Sequence, residues 1–246
     1  MSHKHLALLE RDVQILEFIA KFGYCLDRHI EFLCTLTPKY CLKVIKRLVD
    51  AELVERKRVL AYKDAYLFLT KDWAKFLDVN SPQKAVLHTL THDTLLVDLY
   101  FKLSNNANNV DSIEIKTDKE IRLFLGLHNL NDSLRIPDLL INNHIAIELE
   151  LSEKPASRLE TIINSYIMNN DITEVNYYLI NDRLLKKIFV LTKAHPKFKF
   201  HMLALDNDKI VKIEPYQQDL QNFNNLQMDH QNHNKPKKFG AYTFTP

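Results

Sequence analysis

The chain has 246 residues, of which 46% are hydrophobic, and its formal net charge is +2. This length and composition suit one large or two small globular domains, and the nearly balanced charge neither favours nor excludes a nucleic-acid partner. Only three glycines and three cysteines occur, and the sequence contains no Gly-rich phosphate loop and no Cys/His zinc spacing. It also contains no signal peptide and no apolar run that is long enough to cross a bilayer. We therefore expect a cytoplasmic protein that has no membrane segment.

Residues 1–79 show the pattern of three helices followed by two strands. The predicted elements are, in order, helices 8–23, 27–34 and 37–51, strands 53–59 and 65–70, and a short helix at 73–77. Thr37-Pro38 is a typical helix start, with a capping hydroxyl before a proline in the first turn. Three helices followed by a two-stranded ribbon are typical of a winged helix-turn-helix, and we predict this DNA-binding domain for residues 1–79.

The third helix of this region carries a basic face. Eight Lys and Arg residues lie between positions 39 and 63, against three acidic residues, which is a local excess of five. A helix with such a face fits a DNA groove, and basic side chains on the following strand can hold phosphates. The candidate DNA-binding residues are Lys39, Tyr40, Lys43, Lys46, Arg47, Arg56, Lys57 and Arg58. Two alternatives stay open: a solvent-exposed Lys-rich face without a ligand, and a winged helix that mediates protein contacts.

The remainder of the chain predicts an α/β domain and a polar tail. Residues 80–85 are a predicted linker. The predicted elements of the domain, 86–213, are helix 86–103, strand 110–116, a strand pair within 136–151, helix 154–169, strand 175–180, helix 182–192 and strand 198–205, with residues 117–134 ambiguous. This order favours a mixed sheet. Residues 214–246 are rich in Gln, Asn and His, and we expect this tail to be largely disordered.

Three acidic residues stand out in the predicted strand pair. Asp138 follows a proline at the start of the first strand, Asn142-Asn143 predicts a tight turn, and Glu148-x-Glu150 ends the second strand. Side chains alternate along a strand, so Glu148 and Glu150 point to the same face, and Asp138 can converge with them. Convergent carboxylates repel each other unless a divalent cation or protons neutralise them. The pattern therefore predicts a candidate magnesium site suited to phosphate chemistry.

An exposed polar strand face is the alternative to a metal site. In that case the acids would have partners such as Arg135, Lys154 or Arg158. Acid pairs with this spacing also occur in unrelated sheets, so the spacing does not decide between the two interpretations.

The acidic pattern resembles the PD-(D/E)xK nuclease superfamily. The resemblance covers Pro137-Asp138 and the Glu-x-Glu at the end of the next strand, followed by the predicted helix 154–169. It implies that Asp138 and Glu148 bind Mg²⁺ or Mn²⁺ and that the third position, usually Lys, orients or activates the attacking water. That position is Glu150 here, which departs from the pattern. A Glu occurs there in some active members, whereas loss of Lys marks inactive domains in others.

Further candidate site residues come from the same resemblance. Many members carry an acid on the helix that precedes the sheet, and the predicted helix 86–103 offers His92, Asp93 and Asp98. Lys154, four residues after Glu150, is a candidate replacement for the missing Lys. An ordinary polar helix face is the alternative for each of the three helix residues.

The order of segments resembles the replication-relaxation family, which includes MobC-type accessory proteins of plasmid mobilisation. The resemblance covers about residues 8–200 and includes the segments 8–16, 46–54, 66–70, 92–100, 135–138 and 147–150. It implies a protein that binds double-stranded DNA and helps to process or relax DNA at an origin of transfer or replication.

Three functions remain open from the sequence. The first is a metal-dependent endonuclease that acts on DNA placed by the winged helix. The second is a non-catalytic DNA-binding accessory protein that recruits a relaxase or a replication protein, which the Glu at the Lys position favours. The third is a transcription regulator whose α/β domain senses a ligand. A homodimer is compatible with each of these functions.

Overall fold

The computed structural model describes residues 7–59, 64–77, 89–106, 113–126, 135–193 and 195–216, and these residues form a mixed α+β structure. Its first part consists of α1 (Glu10–Phe22), β1 (Cys25–Leu26), α2 (Asp27–Leu33), α3 (Pro38–Asp50), β2 (Val54–Lys57), β3 (Tyr66–Leu69) and α4 (Lys71–Phe76). The three strands form an antiparallel sheet in the order β1-β3-β2. The predicted helices and strands of this part are confirmed to within a few residues. The two-residue strand β1 was not predicted, because it is too short to show a periodic pattern.

The helix α3 is oriented by a narrow apolar stripe. Cys41, Val44, Ile45 and Leu48 are buried on this stripe, at helical spacing, in the core of the first part. Pro38 occupies the first turn, where its missing N–H has no helical partner to lose. The remaining face of the helix therefore points to solvent.

The second part is built on a six-stranded sheet. Its elements are α5 (Leu90–Asn106), β4 (Ile115–Thr117), α6 (Asp118–Phe124), β5 (Leu139–Ile141), β6 (Ile145–Glu150), α7 (Ala156–Met168), β7 (Glu174–Leu179), α8 (Asp182–Thr192), β8 (Phe198–Asp206) and β9 (Lys209–Pro215). The strand order is β4-β5-β6-β7-β8-β9. Strand β6 pairs in parallel with β7 and β7 with β8, whereas the other pairs are antiparallel. The predicted mixed sheet is thus present.

Helices cover both faces of this sheet. Residues of α7 and α8 pack with Tyr177 and Phe200 on one face, and residues of α5 pack with Ile147 and Leu149 on the other. Strand β6 lies inside the sheet, so five of its six residues are buried. This burial includes Glu148 and Glu150, which makes their neutralisation a structural requirement.

The helix α5 contributes to the cores of both parts. Val97 and Phe101 pack into the core of the first part, whereas Leu95 and Leu99 pack against the sheet of the second. In addition, Lys21 of α1 donates a hydrogen bond to the carbonyl oxygen of Ile115 at 2.7 Å. A helix that is buried on two sides explains why its apolar residues do not form one clean stripe in the sequence.

The predictions for the end of the sheet and for the start of the tail differ from the structure. The strand β9 was not predicted, since the exposed Val211 and Lys212 separate the buried Ile210 from the half-buried Ile213, which breaks the alternation of a strand. Glu214 and Pro215 belong to β9, so the predicted tail at 214–246 begins too early, and its residues from 217 onward lie outside the described residues. The predicted linker 80–85 also lies outside the described residues. Helix α6 falls within the segment 117–134 that the sequence left ambiguous.

None of the helices within the described ranges combines the length and the apolar character needed to cross a membrane.

A buried histidine joins α2 to α5. His29 is 2% exposed, and its Nδ1 accepts a hydrogen bond from the backbone N–H of Leu26 at 3.1 Å. Its Nε2 lies 3.0 Å from the carboxylate of Asp98, which also accepts from Arg28. Because Nδ1 acts as an acceptor, the ring is neutral with its proton on Nε2. Burial lowers the pKa of His29 below its ordinary value of 6.5, although the Asp98 carboxylate acts in the opposite direction.

We expect the free energy of unfolding to decrease as the pH falls below about 6.5. The unfolded chain takes up the His29 proton more readily than the folded chain, so protonation favours unfolding. His29→Gln is the matched variant, because it does not titrate and its amide oxygen can still accept from the Leu26 N–H. Urea unfolding of both proteins from about pH 7.5 to about pH 5 should show that the wild type loses stability relative to the variant. If the difference in unfolding free energy between the wild type and the variant does not change with pH, a neutral His29 is contradicted.

Candidate functional site

The hairpin of β5 and β6 positions the acidic residues. Asn142 and Asn143 both have positive φ angles, 48° and 64°, which Asn adopts more easily than most residues in a tight turn. Leu139 pairs with Ile147, and the backbone N–H of Asp138 donates to the Ile147 carbonyl at 3.1 Å. The turn and this register place Asp138 across from Glu148, as the sequence pattern predicts.

Glu148 is held by two side chains from other elements. Its side chain is fully buried. The Arg135 guanidinium donates from Nε to Oε1 at 3.1 Å and from Nη2 to Oε2, and the Tyr166 hydroxyl donates to Oε1. Burial and the nearby Asp138 carboxylate raise the pKa of Glu148 to about 7, whereas Arg135 and Tyr166 favour its ionised form. Both carboxylate oxygens therefore have protein donors.

Asp138 contacts the backbone of β6 and the side chain of His92. Its Oδ2 accepts from the backbone N–H of Leu149 at 2.8 Å and lies 3.4 Å from His92 Nε2. Burial alone would raise the pKa of Asp138, but the His92 imidazolium and the Leu149 N–H lower it below its ordinary value. Burial likewise opposes protonation of His92, but Asp138 and Asp93 raise the pKa of His92 to about 10. At neutral pH the two groups form an ion pair.

The contacts of His92 continue toward the first part of the molecule. Nδ1 of His92 lies 3.2 Å from the Asp93 carboxylate, whose other oxygen accepts a hydrogen bond from the Tyr24 hydroxyl. Nε2 of His92 also lies 3.1 Å from the carbonyl oxygen of Leu149. Tyr24 lies between α1 and β1. A continuous polar chain therefore connects the first part, through α5, to Asp138.

Glu150 has a lysine partner. Glu150 is 3% exposed and forms an ion pair with Lys154. The carbonyl oxygen of Lys154 in turn accepts from Lys187 of α8 at 2.8 Å. Lys154, a predicted candidate for the missing catalytic Lys, therefore lies beside the acidic residue at the expected Lys position. It neutralises Glu150 in this arrangement.

The acidic residues are close together, but protein cations lie among them. Carboxylate oxygens are the ligands that Mg²⁺ and Mn²⁺ prefer, so the donor types of Asp138 and Glu148 fit a metal site. Within the described residues, however, no group of three or more His, Cys, Asp or Glu side chains is arranged to hold a metal ion. The predicted magnesium site stays a prediction, and Arg135 and His92 are the groups that a metal ion would meet there.

The predicted DNA-binding residues divide into two sets. Lys39, Tyr40 and Lys43 are exposed on α3, and Arg58 is exposed after β2. The other four have carboxylate partners: Lys46 with Asp50, Arg47 with the buried Asp12, Arg56 with Asp27, and Lys57 with Glu55. The structure therefore presents Lys39, Lys43 and Arg58 as the predicted cations that have no ion-pair partner within the described residues.

Two residues of the site were missed by sequence reasoning. Tyr166 packs with the apolar residues of α7, and its buried hydroxyl reaches Glu148. A buried Tyr hydroxyl normally has a hydrogen-bond partner, so its position was a signal that a polar group lies beneath α7. No local pattern pointed to Tyr24.

Comparisons with known proteins give little further information. A scan against protein-family models finds no matching family, and a search of curated proteins finds no match. Among solved structures, the chain is similar to TrmBL2, described as an archaeal chromatin protein whose structure shows a novel mode of DNA binding. The identity is 10%, the TM-score is 0.23, and the match covers 94% of this chain and 92% of that chain. At this TM-score the similarity carries no argument about the fold or function of this chain.

Replacing Tyr24 by Phe should lower the free energy of unfolding by about 1 kcal/mol, because Asp93 loses a hydrogen-bond donor in a partly buried site. Tyr40→Phe is the control, since the Tyr40 hydroxyl is exposed and lies 3.4 Å from its donor, Arg11. Its effect should stay within about 0.5 kcal/mol. Urea unfolding measures both changes, and equal effects would show that the Tyr24–Asp93 contact does not stabilise the fold.

Proposed function

We propose that this protein binds double-stranded DNA through the exposed face of α3 and the end of β2, and that its first part is a winged helix-turn-helix. The observation that carries this proposal is the pair Lys39 and Lys43, one helical turn apart, exposed and without an ion-pair partner among the described residues. Tyr40 lies beside them, also exposed, and Arg58 follows β2. Unpaired cations are available to phosphates without first losing a protein partner.

The element order supports the same proposal. Helix α3 is the third helix, and it is followed directly by the β2–β3 hairpin. A winged helix-turn-helix presents a helix of this kind to the major groove and uses its hairpin to contact the backbone. The apolar stripe of α3 is buried in the core of the first part, so its basic face is the side available to DNA.

The double variant Lys39→Ala/Lys43→Ala should weaken binding to a short labelled DNA duplex and reduce the salt dependence of binding. Each phosphate contact that is lost should lower the slope of log affinity against log salt by about 1. Lys193→Ala/Lys199→Ala removes the same charge from exposed positions of the second part and is the matched control. Fluorescence anisotropy over a series of KCl concentrations measures both. The proposal is contradicted if the two double variants have the same affinity and slope.

A metal-dependent endonuclease is the second candidate function, and the topology of the second part favours it. The order is α5, β4, the short helix α6, the hairpin of β5 and β6, then α7, and then β7. Strands β4, β5 and β6 are antiparallel to one another, and β7 is parallel to β6. Asp138 precedes β5, and Glu148 lies across from it on β6. This arrangement agrees with the resemblance to the PD-(D/E)xK superfamily, in which these positions bind the metal ion.

The residues of this site have distinct roles under the second candidate. Asp138 and Glu148 would hold Mg²⁺ or Mn²⁺, which polarises a phosphodiester and lowers the pKa of an attacking water. Glu150 stands in the position that is usually Lys, and Lys154 beside it supplies a positive charge. His92 orients Asp138, and the contact of His92 with Asp93 fixes the imidazole ring.

Asp138→Asn and Glu148→Gln should each reduce metal-dependent cleavage of supercoiled plasmid by at least about a hundredfold. Glu153→Gln is the control, because Glu153 is an exposed acid whose partners are Arg183 and Lys187. Its rate should equal that of the wild type.

A wild-type protein that binds DNA but does not cleave it with Mg²⁺ or Mn²⁺ would instead favour the accessory function, recruitment of a relaxase or a replication protein. The resemblance to the replication-relaxation family makes origin-of-transfer duplexes the first sequences to compare with random DNA.

A further inference from the structure

The guanidinium of Arg135 is the positively charged group that contacts Glu148 in the acidic site. Glu148 is fully buried, and the guanidinium of Arg135 contacts both of its carboxylate oxygens, one through Nε at 3.1 Å and the other through Nη2. The Tyr166 hydroxyl donates to one of the same oxygens. Such a two-point contact between guanidinium and carboxylate is among the stronger polar interactions in proteins. The charge of Glu148 is therefore neutralised by the protein itself.

A divalent metal ion and Arg135 need the same oxygens. A carboxylate offers about four lone-pair positions, and Arg135 and Tyr166 use three of them. Coordination of Mg²⁺ or Mn²⁺ would also bring two positive charges next to the guanidinium, and this repulsion is weakly screened in a buried site. Metal binding at Glu148 therefore requires that the guanidinium leave.

The two partners differ in their freedom to move. Glu148 lies within the six-stranded sheet, with hydrogen-bonded strands on either side of β6. Arg135 lies outside any helix or strand, and its side chain is 25% exposed, against 1% for Glu148. A long side chain with an exposed end can rotate toward water, whereas a buried strand residue cannot. Arg135 is thus the partner that can be displaced.

We propose that Arg135 is a built-in competitor of divalent metal ions at this site: it neutralises Glu148 in the metal-free protein, and a metal ion binds Glu148 when the guanidinium has moved away. This inference rests on the proposed metal site but does not require DNA cleavage. It gives the protein a resting state in which the acidic site is stable without metal. It also makes Arg135 the residue that sets the metal affinity.

Two substitutions separate the charge of Arg135 from its hydrogen bonds. Arg135→Met removes the charge and the donors but keeps a long apolar chain over the site. Arg135→Gln removes the charge but keeps an amide that can donate to Glu148, so it protects the experiment if the Met variant does not fold. The double variant Glu148→Gln/Arg135→Gln removes both members of the ion pair and serves as the control for the location of the metal ion.

The experiment is a titration of the full-length, metal-free protein with Mn²⁺ alone. Binding is measured by calorimetry and by the electron paramagnetic resonance signal of free Mn²⁺. We expect Arg135→Gln, and Arg135→Met if it folds, to bind Mn²⁺ at least about tenfold more tightly than the wild type. The double variant should lose this gain. Thermal unfolding should show the same order, with Mn²⁺ stabilising the single variants more than the wild type.

Several results would overturn the proposal. They are an unchanged Mn²⁺ affinity in Arg135→Gln, an absence of binding in both the wild type and the single variants, and a gain that persists when Glu148 is also replaced. Because no DNA is present, these results are independent of cleavage. If the single variants gain Mn²⁺ affinity but the wild type does not cleave DNA with Mn²⁺, the competition is confirmed and the nuclease function is rejected.

Discussion

The burial of carboxylates on β6 is the constraint on which the arrangement of the second part depends. Glu148 and Glu150 lie on an interior strand with helices on both faces of the sheet, so water cannot solvate them. An uncompensated buried charge costs several kcal/mol, and the partners must therefore come from the surrounding elements. Arg135 comes from the segment before β5, Tyr166 from α7 and Lys154 from the segment after β6. The contacts that neutralise the acids also hold these elements against the sheet.

The helix α5 extends this constraint to the first part of the molecule. Its apolar residues enter both cores, and its polar residues contact both parts as well. His92 reaches Asp138 on the sheet side, while Asp93 and Asp98 accept hydrogen bonds from Tyr24 and Arg28 on the other. Polar contacts on a helix that is packed on two sides fix its rotation about its own axis, because a small rotation would break hydrogen bonds on both sides. The position of His92 therefore depends on the first part as well as on the sheet.

Much of this structure could be predicted from local patterns in the sequence. The apolar stripe of α3, the start at Thr37-Pro38 and the Asn-Asn turn each act within a few residues, and each appears where the sequence predicts it. The Thr37 hydroxyl, however, does not form the predicted capping hydrogen bond. Alternation along β6 correctly places Glu148 and Glu150 on one face. The strand β9 escaped prediction, because Ile210 and Ile213 pack against the sheet whereas the apolar Val211 is exposed, so the strand does not show a regular alternation.

The partners of the acids were harder to predict than the acids themselves. The contact between Tyr166 and Glu148 joins two elements through tertiary packing, and so does the contact between Tyr24 and Asp93, 69 residues apart in the chain. No periodicity or spacing encodes such a pair. The sequence predicts Arg135, Lys154 and Arg158 as alternative partners. Arg135 and Lys154 do form ion pairs with the acids, whereas Arg158 is exposed on α7.

Neutralisation of the acidic site also bears on a DNA-binding function. Free carboxylates repel the phosphates of a duplex, and this repulsion would act against any basic surface on the same molecule. In this protein, His92, Arg135 and Lys154 offset most of the negative charge of Asp93, Asp138, Glu148 and Glu150. The site can therefore approach a DNA backbone without a metal ion to screen it. Under the nuclease function, Asp138 and Glu148 would hold the metal ion, and Arg135, turned away from Glu148, would be a good partner for the phosphates. Under the accessory function, the same ion pairs are permanent and hold the scaffold together.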